Sequence, residues 1–212
     1  MIHLNKQQIK SKERIERLNL INSITGIKPA NLIGTVSTDG EPNLAIFSSV
    51  VHLGSDPAII GFNVRPTGPV RRHTLENILS TGWYTINHVH RSFIEKAHYT
   101  SVKFDKGVSE FDKCGLTEQY LEGFQAPFVK ESRLKMAMKF CEQLPISMND
   151  TCLIIGEVQH LMLPDDAVDH EGHVNLSVTE SVGISGLNSY YQLNKLYQFP
   201  YAREGELPKI PS

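Results

Sequence analysis

The segment around which the rest of the chain is organised is Arg71-Arg72-His73-Thr74-Leu75-Glu76-Asn77-Ile78-Leu79, followed by Ser80-Thr81-Gly82. It predicts a short helix with Thr74 as its N-cap, because a threonine hydroxyl can accept a hydrogen bond from a free N–H of the first turn. Leu75, Ile78 and Leu79 follow at i, i+3 and i+4 and form one apolar face. Gly82 can adopt the left-handed conformation that ends a helix.

Cations crowd the start of this helix. Arg71, Arg72 and His73 lie where the helix dipole is already positive, which costs about 0.3–1 kcal/mol for each cation unless something compensates. A bound phosphate would compensate, because it accepts hydrogen bonds from the free N–H groups, from Thr74 and from the cations. The alternative is that the arginines point into solvent, and the local residues leave both interpretations open.

Length and charge limit the classes of protein to be considered. A chain of 212 residues predicts one domain over 1–212, with an arm or helix over 1–25 and a frayed tail over 200–212. The net charge of −2 gives no case for nucleic acid or an anionic membrane, and no apolar run is long enough to span a bilayer. The start lacks the apolar core of a signal peptide. Three widely spaced cysteines predict free thiols and a cytoplasmic location.

The hydrophobic pattern predicts a mainly β fold with helical insertions. Asp39-Gly40 is a hairpin signal, and the apolar segment 58–64 is expected to be buried on both faces. Residues 91–99 are predicted helical, and 100–125 irregular with short helical turns, as in a lid. The strands are predicted over 31–38, 43–52, 58–64, 83–89, 133–140, 151–161 and within 174–182. So many strands favour an antiparallel barrel, closed or partly closed, because closure hides strand edges.

For residues 133–140, helix propensity and hydrophobic periodicity predict different secondary structures. Their composition is helical, but Leu134, Met136, Met138 and Phe140 alternate with polar residues. The alternation predicts a strand, since tertiary burial overrides helix propensity. This strand should form a hairpin with 151–161 across the Asn149-Asp150 turn.

Common catalytic and metal motifs are absent from the sequence. It has no dinucleotide fingerprint, no P-loop and no nucleophile elbow. His88-x-His90, and the run His170-Glu171-Gly172-His173 behind Asp165, Asp166 and Asp169, lack a recognised spacing to a further ligand, so no metal site is predicted.

Polar residues at strand ends can converge with the helix start. Ser48 and Ser49 interrupt an apolar strand, and Asn63 and Arg65 end the next one. Together with Thr74 they would offer a phosphate anchor, polar side chains and an apolar wall, which suits a planar phosphorylated cofactor.

Six segments, taken in order, resemble the flavin reductase-like proteins with the FMN-binding split-barrel fold. In chain order they are Asn43-Leu44-Ala45-Ile46-Phe47-Ser48-Ser49, Ser55-Asp56-Pro57, His73-Thr74-Leu75-Glu76-Asn77-Ile78, Tyr84-Thr85-Ile86-Asn87, Val108-Ser109-Glu110-Phe111-Asp112-Lys113-Cys114-Gly115-Leu116-Thr117 and Ile155-Gly156-Glu157-Val158. Two departures are Ile46, where the family often has proline, and Gly183 to Tyr190, which replaces Arg-x-Gly-Gly-x-x-Tyr and puts nicotinamide or substrate contacts in doubt.

The resemblance implies an antiparallel split β-barrel that forms a homodimer with FMN near the subunit interface. Carried over by position, the expected cofactor residues are Ser48, Ser49 and Val50 at the flavin ring, Asn63 and Arg65 at the ribityl chain or phosphate, and Arg72, His73 and Thr74 at the phosphate.

The resemblance also implies an oxidoreductase. NADH or NADPH would give a hydride to the flavin, which would pass electrons to an acceptor that the sequence does not identify. The first alternative is a non-catalytic FMN-binding redox carrier or sensor. A second is a split barrel that binds another ligand, such as haem.

Overall fold

The structure is a computed structural model that describes residues 1–66, 72–105, 107–203 and 205. Its helices are α1 (Lys6–Ser11), α2 (Arg14–Ser23), α3 (His73–Thr81), α4 (Ile94–Tyr99) and α5 (Glu110–Cys114), with 3-10 turns at Arg91–Phe93 and Asp165–Ala167. Its strands are β1 (Lys28–Pro29), β2 (Asn31–Val36), β3 (Pro42–Phe47), β4 (Val51–Ser55), β5 (Ala58–Val64), β6 (Trp83–His88), β7 (Glu118–Leu121), β8 (Phe124–Val129), β9 (Lys135–Ile146), β10 (Thr151–Met162), β11 (Val182–Ser185) and β12 (Ser189–Gln192).

A seven-stranded sheet in the order β3-β2-β6-β9-β10-β5-β4 forms the barrel. Every pairing in it is antiparallel. Its two edge strands, β3 and β4, are consecutive in the chain and joined only by residues 48–50. So short a link spans at most about 14 Å, so the sheet must curl until its edges approach each other. The predicted mainly β antiparallel split barrel is confirmed.

Helix α3 packs on β2, β3 and β6 and supplies side chains to the barrel interior. Gly82 ends it at φ +77°, as predicted. The predicted start is wrong by one or two residues, because the helix begins at His73 with Arg72 as N-cap and Thr74 faces the sheet. The predicted apolar face is also too wide. Leu75 and Ile78 are buried, but Leu79 is 49% exposed and Asn77 is buried instead.

The strand pattern is confirmed in most places and wrong in three. The segment 43–52 forms two strands, and residues 48–50 between them belong to neither. The short strand expected within 174–182 begins only at Val182 and forms a hairpin over residues that the sequence suggested were a tail. The 100–125 region contains α5 and the first part of the β7–β8 hairpin, which was not predicted from the sequence. Gly123, at φ +77°, lies in the turn of that hairpin. A hairpin with so many polar residues has little apolar alternation to reveal it.

Strand β9 confirms the alternation of residues 133–140 and pairs with β10 as predicted. Leu134, Met136 and Met138 point into the interior cluster. Lys135 on the other face is also buried, because β7 and the β8–β9 connection supply Gln119 Oε1 and the Lys130 carbonyl to its ammonium. Burial lowers the pKa of Lys135.

The apolar residues form an interior cluster and an outer layer. Phe62, Tyr84 and Ile154 are at the centre of the interior cluster. The outer layer packs α4, α5 and β11 against the β2–β3 side of the sheet. On the β5 side, by contrast, Ala58 and Asn63 are exposed, so the expectation that 58–64 is buried on both faces is wrong. No described helix covers that side.

The chain ends and the cysteines complete the description. The predicted arm over 1–25 contains α1 and α2, while the predicted tail over 200–212 is described only at 200–203 and 205. Within the described ranges, no helix is long and apolar enough to cross a membrane. The three cysteines are free, as predicted.

Replacement of Asn87 tests how the sheet is held to the β8 segment. Its buried amide donates to the Leu32 carbonyl at 3.1 Å and to Thr85 Oγ1 at 2.8 Å, and accepts from the Val129 N–H at 3.0 Å. Asn87→Ala should lower the free energy of unfolding by about 2–4 kcal/mol, because it leaves buried backbone groups unpaired. Urea denaturation measures this. The exposed Asn188→Ala is the control, and an equal effect of both variants would contradict the assignment.

Titration of His88 should make stability depend on pH. Burial lowers its pKa from 6.5 to about 4. The unfolded chain therefore binds the proton first, so the stabilising contribution of neutral His88 is lost as pH falls from about 6.5 to about 4. His88→Gln should remove up to about 3 kcal/mol of that fall. Urea midpoints of both proteins across this range test it, and a constant difference between them would contradict it.

Candidate functional site

The first turn of α3 is fixed by a buried amide network. Asn43 donates to Thr74 Oγ1 at 3.1 Å and to Thr35 Oγ1 at 3.3 Å, and Asn77 donates to the same Thr35 oxygen at 3.1 Å. All four side chains are at most 8% exposed. Buried amides and hydroxyls are stable only when bonded, so the network determines how the helix sits on the sheet.

The network leaves Thr74 able to donate. A hydroxyl carries one hydrogen and two lone pairs, and the bond from Asn43 occupies only a lone pair. Among the described residues, the Thr74 hydrogen has no acceptor. The N-cap Arg72 makes no side-chain cap and instead donates from Nε to the Pro66 carbonyl at 3.3 Å. His73 is half-buried beside it, while Arg71 lies outside the described residues.

Ser49 joins the link between the two sheet edges to the end of β5. Its Oγ donates to the Asn63 carbonyl at 3.2 Å and accepts from the Asn63 N–H at 3.0 Å. Val50, the next residue, packs against the interior cluster. The predicted approach of Ser49 to Asn63 is therefore present, but it runs through the backbone of Asn63 and leaves the amide side chain of Asn63 exposed.

Arg65 lines a cavity of about 230 Å³ between α3 and the end of the β9–β10 hairpin. Leu75 of the helix and Thr151 of the hairpin also line it. Arg65 is exposed, and residues 67–71 lie outside the described residues.

The two groups of expected residues lie at opposite ends of β3. Thr74 contacts Asn43 near the start of the strand, and Ser48 follows its last residue. Five residue steps of an extended strand span about 17 Å. A ligand that contacts both groups must therefore be elongated.

Three site residues were missing from the sequence interpretation: Thr35, Asn43 and Asn77. The available signal was that Asn77 interrupts the apolar positions of the helix and Asn43 lies directly in the segment that carries the resemblance. Periodicity alone could not reveal them, since their partners are up to 42 positions away in the chain.

Three of the histidines considered as metal ligands, His88, His90 and His173, have structural partners. His88 Nδ1 lies 3.2 Å from Ser181 Oγ, and His90 Nε2 lies 2.8 Å from a carboxylate oxygen of Glu180. His173 lies beside Asp169 and Glu171 in an exposed loop. Within the described part of the chain, no group of three or more His, Cys, Asp or Glu side chains could hold a metal ion.

A second cavity, of about 490 Å³, lies between α4 and β12. His98 and Tyr190 line it, with His98 Nδ1 3.1 Å from the Tyr190 hydroxyl. Burial raises the pKa of Tyr190 to about 12, so this phenol stays protonated and can donate. Tyr190 and Ile46 of β3 both pack against the outer apolar layer.

Known proteins resemble this chain in sequence and in fold. The family described as flavin reductase like domain matches residues 27–176. A protein from Shewanella frigidimarina is 47% identical to this chain, and its crystal structure is that of a candidate flavin reductase with a split barrel domain. The two structures align with a TM-score of 0.91 over 95% of this chain and 100% of that one.

Two more distant structures share the fold alone. Nitrilotriacetate monooxygenase component B from Bacillus cereus is 18% identical, with a TM-score of 0.82 over 94% of this chain and 98% of its own. Flavoredoxin of Desulfovibrio vulgaris is 21% identical, with a TM-score of 0.71 over 85% and 93%. Because the family match covers most of the chain, the protein belongs to the flavin reductase-like family of split barrels.

Proposed function

We propose that this protein is a cytoplasmic FMN-binding oxidoreductase that accepts a hydride from NADH or NADPH. The observation that carries the proposal is the pairing of a donor-rich helix start at one end of β3 with the Ser49–Asn63 contact at the other. When bound, the flavin would take up the hydride at its N5 and release the electrons to an acceptor. The free thiols support the cytoplasmic location.

The helix start suits a single phosphate. Thr74 can donate its hydroxyl hydrogen, Arg72 and His73 bring donor groups, and the N–H groups that open an α-helix lack intrahelical acceptors. The buried bond from Asn43 holds Thr74 in place, so little side-chain entropy is lost on binding. One anchoring point for one phosphate favours FMN over a dinucleotide flavin. Arg65, beside the 230 Å³ cavity, would contribute charge.

Ser49 acts as a positioning residue in this proposal. Its hydroxyl already bonds to both backbone groups of Asn63, which fixes the 48–50 segment against β5. The exposed amide of Asn63 then faces the ligand, together with Ser48 and the backbone at Val50. The Tyr190 hydroxyl, 3.1 Å from His98 Nδ1, is a polar group that lines the second cavity.

A homodimer would cover the side of the barrel that lacks helices. We define the open face as the outward side of β4, β5, β10 and the far half of β9. Its residues are Val51, Leu53, Ile59, Leu144, Ile146, Leu153 and Ile155. Asn63 lies in the same cross-strand row as Leu153 and Leu144. A second copy on this face would therefore also close one wall of the proposed flavin site.

A non-catalytic carrier or sensor is the second candidate. The site holds no catalytic acid–base pair, and a bound flavin can exchange electrons with a protein partner without one. The carrier would bind FMN equally well but react slowly with pyridine nucleotides, so the two candidates differ in a measurable rate.

The phosphate anchor can be tested by substitution at Thr74. Thr74→Ala should weaken FMN binding by about 10- to 100-fold, because a hydrogen bond to a charged group contributes about 1.5–3 kcal/mol. Thr74→Ser, which keeps the hydroxyl, should stay near the wild type. Thr81→Ala, in the last turn of the same helix, is the control. Flavin fluorescence titration measures the affinities, and unchanged binding in Thr74→Ala would refute the anchor.

Hydride transfer can be tested with the FMN-loaded protein under nitrogen. Addition of NADH or NADPH should bleach the visible flavin absorption faster than it bleaches free FMN, and should identify the preferred nucleotide. Stopped-flow absorbance gives both rates. A bound flavin that bleaches no faster than free FMN would leave only the carrier or sensor.

A further inference from the structure

Residues 193–203, here called the aromatic arm, expose an unusual amount of apolar surface. Leu196, Tyr197, Phe199 and Tyr201 are each at least 80% exposed. The arm has no strand or helix, and Pro200 favours an extended backbone. Large aromatic side chains concentrated in so short a stretch are typical of a binding segment rather than of a solvated loop.

Within the described residues, the hydrogen bonds that attach the arm to its own chain come from its first half, at Leu193, Lys195 and Gln198. Lys195 N and the Leu193 carbonyl bond to Ser177 Oγ at 3.4 Å, and the Gln198 amide approaches Asp169 at 3.4 Å. Tyr197 and Phe199 stack on each other, with ring centroids 5.9 Å apart. These contacts fix the direction in which the arm leaves the barrel but bury none of its aromatic rings.

The open face is the matching apolar surface. Val51, Leu53, Leu144 and Ile146 are each between 37% and 47% exposed, and they lie across neighbouring strands. Packing within the face is tight, since a Cβ added at Gly61 would come within 2.8 Å of Leu53 and 3.2 Å of Leu153. A sheet face with apolar rows of this kind can accept an extended segment that lays aromatic rings across them.

Charges support the same pairing. The aromatic residues of the arm lie between Lys195 and Arg203, one cation at each end. The open face has exposed acids at its margins, with Glu142 on β9 and Asp56 in the β4–β5 turn. Opposite charges at the rim of an interface orient the partners and raise their association rate.

We propose that the aromatic arm of one copy docks on the open face of a second copy, and that the two arms are exchanged reciprocally. The occupant is a second copy because the arm and the face are both uncovered in the single chain, are both apolar, and carry opposite charges at their margins. A two-fold axis then gives two identical contacts. This inference deepens the proposed homodimer and rests on it.

The experiment uses the full chain with two pairs of substitutions. The arm variant carries Tyr197→Ser and Tyr201→Ser, and the face variant carries Leu144→Ser and Ile146→Ser. Each should weaken the dimer by at least ~10-fold in sedimentation velocity. Leu161→Ser, on β10 outside the open face and 53% exposed, is the control and should leave the dimer unchanged.

Mixing the two variants distinguishes exchange from docking on the same chain. A heterodimer of arm variant and face variant keeps one intact contact, in which the native arm meets the native face, whereas each variant alone keeps none. The mixture should therefore form more dimer than either variant alone. A mixture as dissociated as the separate variants would overturn the exchange.

Limited proteolysis of the wild type gives an independent measure. Chymotrypsin should cut after Tyr197 and Tyr201 in dilute protein. The cleavage should become slower as rising protein concentration increases the fraction of dimer. A stable dimer whose arm is cut at the monomer rate would overturn the arm while leaving the homodimer standing. A wild type that stays monomeric at every concentration would overturn both, and FMN binding would still be judged separately by flavin fluorescence.

Discussion

The three-residue link between β3 and β4 is the constraint on which the rest of the structure depends. It joins the two outermost strands of a seven-stranded sheet, so the sheet has to close on itself. Closure turns Phe62, Tyr84 and Ile154 into one interior cluster. It also takes Ser48 and Ser49 out of the strand ladder, which is why polar residues are tolerated there. The same geometry that closes the barrel thus provides polar groups at one end of the proposed ligand track.

The buried amide network fixes the polar groups at the other end of the proposed ligand track. Asn43 and Asn77 both bond to Thr35, so the helix cannot rotate on the sheet without leaving buried amides unpaired, at a cost of about 1–3 kcal/mol each. Thr74 is therefore held before any ligand arrives. As an N-cap, Thr74 would have used its oxygen within the helix, whereas its bond from Asn43 leaves the hydroxyl hydrogen available. The fold stabilises the helix by other means and keeps a donor for the site.

The features predicted correctly from the sequence are those that depend on residues close together in the chain. Alternation identified β9 against its helical propensity, and Gly82 ended α3 where expected. The errors share a different cause, namely partners distant in sequence. Thr74 faces the sheet instead of capping the helix, because its hydroxyl accepts a hydrogen bond from Asn43. Lys135 is buried because its ammonium group bonds to Gln119. The strand-end pattern and the resemblance both gave Ser49 and Asn63 as candidate site residues, and the structure shows that the Ser49 hydroxyl bonds to the backbone of Asn63.

The two edges of the sheet are treated differently, and this difference bears on assembly. At the β3 edge, the buried carboxylate of Glu110 accepts the Leu44 N–H at 2.9 Å, and α4 and α5 cover the adjacent outer face. Burial raises the pKa of Glu110, because it disfavours the charged carboxylate. The backbone hydrogen bonds that this carboxylate accepts offset part of that effect. At the β4 edge no described helix covers the outer face, and its apolar rows stay exposed. This difference between the two sides of the sheet is the observation on which the proposed homodimer rests.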